Sequence, residues 1–228
     1  MTQTIIFFSA NGGVGTTSLA VRTAWLAADS GDPITFLDAN RDSDAKKYLG
    51  LVEGPPAQTP GGLFHWWFIP VSSRGNAKTG VHAVYFAEAE GLYQEVTSRI
   101  PDPHPGLTVI DAGNLNFTGR DTLVETAKLI NEGAYGVGVF SRGWGIEALR
   151  ALIERLVSAG ADRSRIQALY HHGDWKHRPA GIPSDIAWTP EEHKFDKWIR
   201  RPDRRRKRRV FRVDDTIREI IEDARNSS

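Results

Sequence analysis

Residues Ala10 to Ser18 read Ala-Asn-Gly-Gly-Val-Gly-Thr-Thr-Ser, and three glycines in so short a run suit a backbone that must turn tightly and bring its N–H groups close to an anion. An apolar strand precedes the run (Thr4-Ile5-Ile6-Phe7-Phe8) and a helix-compatible stretch follows it (Leu19 to Ala28). Strand, glycine turn and helix start together form a phosphate-cradling loop spanning Asn11, Gly12, Gly13, Val14, Gly15, Thr16, Thr17 and Ser18. Such a loop normally places a lysine ammonium on the terminal phosphates, and here Thr16 stands in that place. Two carboxylates, Asp38 and Asp111, each close an apolar run elsewhere in the chain.

These residues must be brought together by the elements that carry them. Strands are expected at Thr4–Phe8, Ile34–Leu37, Val84–Phe86, Leu107–Ile110, Gly136–Phe140 and Ile166–Tyr170. Several are nearly continuous apolar runs, as parallel strands buried on both faces require. Helical stripes alternate with them. One holds Leu123, Ala127 and Ile130, with Asp121 as its cap and Gly133 after its end; another holds Ile146, Leu149, Ile153, Leu156 and Val157 and closes at Gly160. Val213, Ile217, Ile220, Ile221 and Ala224 make a terminal helix with Asp214 as its cap. Strands alternating with helices predict an α/β fold: a doubly wound, mostly parallel sheet with helices on both faces. In such sheets ligands bind beyond the carboxyl ends of the strands, where the loop, Asp38 and Asp111 all fall. The breakers Gly54-Pro55-Pro56 and Pro60-Gly61-Gly62 predict a loop excursion over residues 50–80, and the prolines of residues 173–190 an irregular segment.

A chain of 228 residues accommodates one such domain, here residues 1–199, with residues 200–228 packed on it as a basic strip and helix. There is no cysteine, which removes disulfides, thiol catalysis and cysteine metal sites and is compatible with a cytoplasmic location. The chain starts on a strand, so no signal peptide is expected, and no apolar run is long enough to span a bilayer. The net charge of +1 conceals an asymmetry. Residues 200–212 hold nine Arg or Lys and one acid, a charge of +8, which leaves −7 for the rest. A strip of that kind is either a solvated face or a polyanion contact.

The order of motifs resembles the ParA/MinD family of deviant-Walker ATPases, a P-loop NTPase group whose loop reads Lys-Gly-Gly-x-Gly-Lys-Thr-Thr or Ser. Gly12, Gly13, Gly15, Thr17 and Ser18 match; Asn11 and Thr16 replace the two lysines. Ile34 to Asn40 resembles the first half of the family's strand ending in Asp-x-Asp-Pro, with Asn40 in place of the second aspartate, Leu107 to Asp111 resembles its Walker B strand, and Ile182-Pro183-Ser184-Asp185 its late Ile-Pro-x-Asp segment. The Gly-Gly-Val-Gly-Thr-Thr spelling is also similar to the pilus-localisation (TadZ/CpaE) branch, and plasmid partition relatives, including StbB-like proteins, are another neighbourhood that the resemblance includes. The resemblance implies ATP or ADP with Mg²⁺ as cofactor. Thr17 would be the hydroxyl ligand of the ion, Asp111 would hold it through water, and Asp38 would orient or deprotonate the attacking water. It also implies a homodimer or protein partner, since the family's first lysine reaches across a sandwich dimer. With both lysines replaced, little or no hydrolysis is expected unless Arg41 or Arg142 compensates, and a form that binds no nucleotide stays open.

On the base side, the family's usual asparagine is replaced by the Tyr170-His171-His172 region, where an aromatic could stack on a base. His171, His172, Asp174 and His177 match no familiar metal spacing. Arg200, Arg201, Arg204, Arg205, Arg206, Lys207, Arg208 and Arg209 are the expected contact with non-specific DNA, because phosphate binding needs charge and no base-reading side chains. That contact would place the protein at the nucleoid. A membrane surface is disfavoured by Glu219, Glu222 and Asp223 on the terminal helix. Trp66-Trp67-Phe68 is either core or a partner contact. The leading expectation is a positioning or DNA-partition protein with a degenerate nucleotide loop. The alternatives are a slow Mg²⁺-dependent ATPase or a nucleotide-free scaffold for polar, pilus or conjugation complexes.

Overall fold

The strand at the N-terminus, β1 (Gln3–Ser9), sets the pattern for the whole sheet. Successive side chains of a strand point to opposite faces. Ile5 and Phe7 therefore enter one apolar core, and Ile6 and Phe8 enter another; all four are fully buried. The computed structural model describes residues 3–30, 33–40, 45–49, 57–58, 64–70, 80–86, 106–117, 120–141, 145–173, 186–190 and 213–227.

Among these the strands are β1, β2 (Ile34–Asp38), β3 (Ala57–Gln58), β4 (Phe64–Pro70), β5 (Gly80–Phe86), β6 (Leu107–Asn114), β7 (Tyr135–Phe140), β8 (Ile166–Gly173) and β9 (Ala187–Pro190). They form one sheet in the order β3-β4-β5-β2-β6-β1-β7-β8-β9. From β5 to β9 every neighbouring pair is parallel. The pairs β3–β4 and β4–β5 are antiparallel. The helices are α1 (Thr16–Asp29), α2 (Ala45–Leu49), α3 (Arg120–Asn131), α4 (Gly145–Ser158) and α5 (Val213–Asn226). α1 and α5 cover the Ile5/Phe7 face, and α3 and α4 cover the Ile6/Phe8 face. This is the expected doubly wound α/β sheet, and it makes room for its largest side chains with its smallest. A Cβ on Gly138 would lie 2.8 Å from Leu149 Cδ1 and 3.1 Å from Phe8 Cε2.

Four expectations are corrected. The segment read as a loop excursion contains β4, because its breakers flank a run of aromatic and β-branched residues, which favour strands, and so bound it. The surroundings of the Trp66-Trp67-Phe68 side chains lie outside the described residues. The irregular stretch before Pro190 ends in β9, at the sheet edge, where proline is tolerated. Asp121 is the second residue of α3, where its charge complements the helix dipole, and is not the cap. Asp214 lies inside α5 and is fully buried: Arg22 Nε donates to its Oδ1 at 2.8 Å and Arg22 Nη2 to its Oδ2 at 2.6 Å. No described helix is long and apolar enough to cross a membrane.

Candidate phosphate-loop site

β1 ends at Ser9 and α1 begins at Thr16, so the glycine run is the connection between them. Gly13 (φ 73°) and Gly15 (φ 93°) adopt the left-handed conformation that glycine takes at least cost. At Gly12 neither strain nor crowding demands glycine, since a Cβ there would meet nothing within 4 Å. Gly15 caps α1 with no side-chain hydrogen bond, and the first turn carries no acid. The first-turn N–H groups and the positive end of the helix dipole thus have no side-chain cap, which is the arrangement that binds anions.

The loop is gripped by the turn after β6. Ser9 Oγ donates to Asn11 O at 3.0 Å and approaches Gly113 O at 3.3 Å. Leu115 N donates to Ser9 O at 3.0 Å, Asn116 Nδ2 to Ala10 O at 2.8 Å, and Arg155 Nη1 to Asn116 Oδ1 at 2.7 Å. Ser9, Asn116 and Arg155 carry no local signal in the sequence; they meet because β1 and β6 are neighbours. Asn11, Gly12 and Gly13 are exposed, while Val14, Thr16 and Ser18 are buried. The Thr16 hydroxyl is buried with no hydrogen-bond partner, an unusual condition for a polar atom and one that a bound anion would relieve.

Asp38 and Asp111 are register partners on β2 and β6, so their backbones lie about 4.8 Å apart. Alternation from Phe36 and Val109 puts both on the α1 face of the sheet. Asp111 is fully buried and Asp38 nearly so. Asp38 Oδ1 accepts from Asn40 N, and Asp111 Oδ1 from Gly113 N, each at 3.1 Å. Asn40 fills the space over Gly113 (φ 63°), where a Cβ would lie 2.4 Å from its Cγ, and its Nδ2 reaches Thr17 Oγ1 at 3.5 Å. Loop, Thr17, Asp38 and Asp111 therefore converge at one sheet edge. These groups fit a nucleotide phosphate with Mg²⁺: backbone amides and the Thr16 hydroxyl for the anion, Thr17 and Asp111 for the ion.

The base side departs from expectation. Tyr170 is buried in the core against Phe140, ring centroids 5.2 Å apart at 64°, and is not presented to a base. His171 points to the other face, where Nδ1 lies 2.6 Å from Thr189 Oγ1 and the ring packs under Gly15. Among the described residues no cluster of acids or histidines could hold a metal. Arg41, Arg142, Asp174, His177, Ile182 to Asp185 and the basic strip of residues 200–212 lie outside the described residues.

No protein-family model matches the chain, and no curated protein matches it by sequence. Solved structures do. A MinD cell division protein of Aquifex aeolicus superposes with a TM-score of 0.70 at 15% identity, over 99% of this chain and 98% of its own. A plasmid partition protein of Borrelia burgdorferi bound to AMPPNP gives 0.67 at 12%, over 98% and 99%. A septum site-determining MinD of Pyrococcus horikoshii, complexed with Mg-ADP, gives 0.63 at 12%, over 87% and 85%. The fold of this chain is therefore that of the MinD and ParA proteins.

Proposed function

We propose that this chain is a ParA/MinD-like positioning or partition protein whose lysine-free loop holds nucleotide phosphates through backbone amides and turns them over little or not at all. It would bind DNA non-specifically through residues 200–212 and dock to a protein partner or a second copy. The observation that carries this is the convergence of the glycine loop, Thr17, Asp38 and Asp111 at the carboxyl ends of three adjacent strands, β1, β6 and β2. Structures of the same fold hold AMPPNP or Mg-ADP, which supports nucleotide as the ligand class. Retention of Thr17 and Asp111 supports Mg²⁺. Loss of both lysines removes the cations that neutralise charge as a phosphoryl group transfers.

The test is a titration of the purified protein with labelled ATP and ADP, with and without Mg²⁺, beside steady-state phosphate release. Saturable binding with negligible turnover is expected. Turnover matching an active partition ATPase assayed alongside would establish the enzyme reading instead, and absence of binding with a folded protein would leave a nucleotide-free scaffold.

A further inference from the structure

Beneath the loop lies an ionisable side chain that no phosphate-binding pattern in the sequence points to. His171 lies near the end of β8, on the α1/α5 face, and is 1% exposed. A Cβ on Gly15 would lie 2.4 Å from its Cδ2 and 2.8 Å from its Nε2, so the Nε2 edge of the ring touches the backbone that starts α1. The Nδ1 edge faces Thr189 Oγ1 at 2.6 Å. A hydroxyl accepts from a protonated ring nitrogen and donates to an unprotonated one, so Thr189 accommodates either charge state.

Among the described residues, few charged groups lie on the elements that pack around this ring. The loop from Ala10 to Thr17 has no titratable side chain, nor has β9. On β7 the one such group is Tyr135, at the opposite end of the strand. On α1 and α5 the buried charges are Arg22 and Asp214, and they pair with each other. The remaining charges of α5 are exposed. Asp111 and Asp38 stand three and four strands away, about 14 Å or more.

We infer that His171, as imidazolium, supplies the positive charge that the loop lost with its lysines. This rests on the phosphate-loop reading given above. An anion cradled by the amides of Gly13 to Thr17 would lie across the Gly15 backbone from a ring that can carry charge without breaking its bond to Thr189. Anion and proton then bind together, each strengthening the other. The sign follows. A bound anion raises the imidazole's midpoint, so anion affinity is greatest below the free midpoint and is lost as pH rises through the bound one.

The experiment uses sulfate, whose charge is fixed across the range, at constant ionic strength. The imidazole signals of the full chain and the amides of Gly13, Gly15 and Thr16 are followed by NMR from pH 5.5 to 8.5, with and without sulfate. Local amides separate loop binding from sulfate held on the arginine strip. Sulfate is expected to raise the His171 midpoint by about one unit, with about tenfold tighter loop binding at the acid end. In His171→Asn, which keeps a polar contact to Thr189 but cannot ionise, loop binding should be weak and independent of pH. The wild-type titration stands alone if that variant does not fold. Loop amides that respond equally at all pH values, with an unmoved His171, would overturn the inference and leave the loop reading intact. Loop amides that never respond would overturn both.

Discussion

Thr16 is the residue on which the chemistry of the loop turns. Its side chain is 6% exposed and its hydroxyl has no hydrogen-bond partner, so the position is enclosed yet offers one weak, neutral group where a charge is most useful. A charge-assisted contact to phosphate contributes about 1.5–3 kcal/mol. Thr16→Lys should therefore tighten ADP about tenfold or more in a direct titration; unchanged affinity would mean that phosphates do not reach this position. Tyr135 makes a different case. Burial, with a smaller push from Asp223, raises its phenol to about 12. The folded value exceeds the unfolded value of about 10, so the neutral phenol stabilises the fold below pH 10 and that contribution fades as pH rises toward 12. Urea melts at pH 9 and pH 11.5 should show a loss of about 1–2 kcal/mol, and Tyr135→Phe should reduce that loss.

At the scale of elements, α1 joins the site to the far end of the chain. Its N-terminus is the loop; one and a half turns later Arg22 grips Asp214 of α5 with two hydrogen bonds, both side chains nearly dry. Removing one member strands a buried charge, so Asp214→Ala should destabilise by about 3–5 kcal/mol, while Arg22→Met with Asp214→Leu should recover most of it. Chemical denaturation of the three proteins decides this. A single mutant as stable as wild type would show that the pair is solvated. Most strands of the site were legible in the sequence because a parallel strand buried on both faces is an unbroken apolar run, as in Ile5 to Phe8, and because glycines mark the turn before α1. Asp38 and Asp111 could be placed at one edge for the same reason. Contacts set by strand order were not legible. Ser9 meets Gly113, and His171 meets Gly15, only after β1 has been slotted between β6 and β7 and β8 laid beside β7. Asp214 resembled a cap because its partner lies 192 residues away. β4 was hidden by the glycines and prolines on either side of it.

Across the whole molecule the charge is divided. Residues 200–212 carry +8 and the remainder −7, and the strip ends at Arg212, next to Val213, where α5 starts and anchors to α1. A dense arginine run has charge and donors for phosphates but few groups suited to base edges, so its contact with duplex DNA should be indifferent to sequence. Such binding releases counterions, and the logarithm of affinity should fall linearly with the logarithm of salt concentration, by about 0.9 per phosphate neutralised. Replacing Arg204, Arg205, Arg206, Arg208 and Arg209 by Ala should weaken binding to two unrelated duplexes alike and flatten the slope by several units, without altering the melt of the domain. Fluorescence anisotropy over a salt series measures both. A mutant that binds as tightly as wild type, with the same slope, would remove DNA from the proposed function and leave the strip to another polyanion or to solvent. If nucleotide controls the strip, α1 offers a mechanical route, since the helix that starts at the phosphate loop is ion-paired to the helix that the strip leads into. The DNA salt slope measured with and without saturating ADP should then differ in wild type, and the difference should vanish in the Arg22→Met, Asp214→Leu protein, where the helices stay packed but the ionic tie is gone.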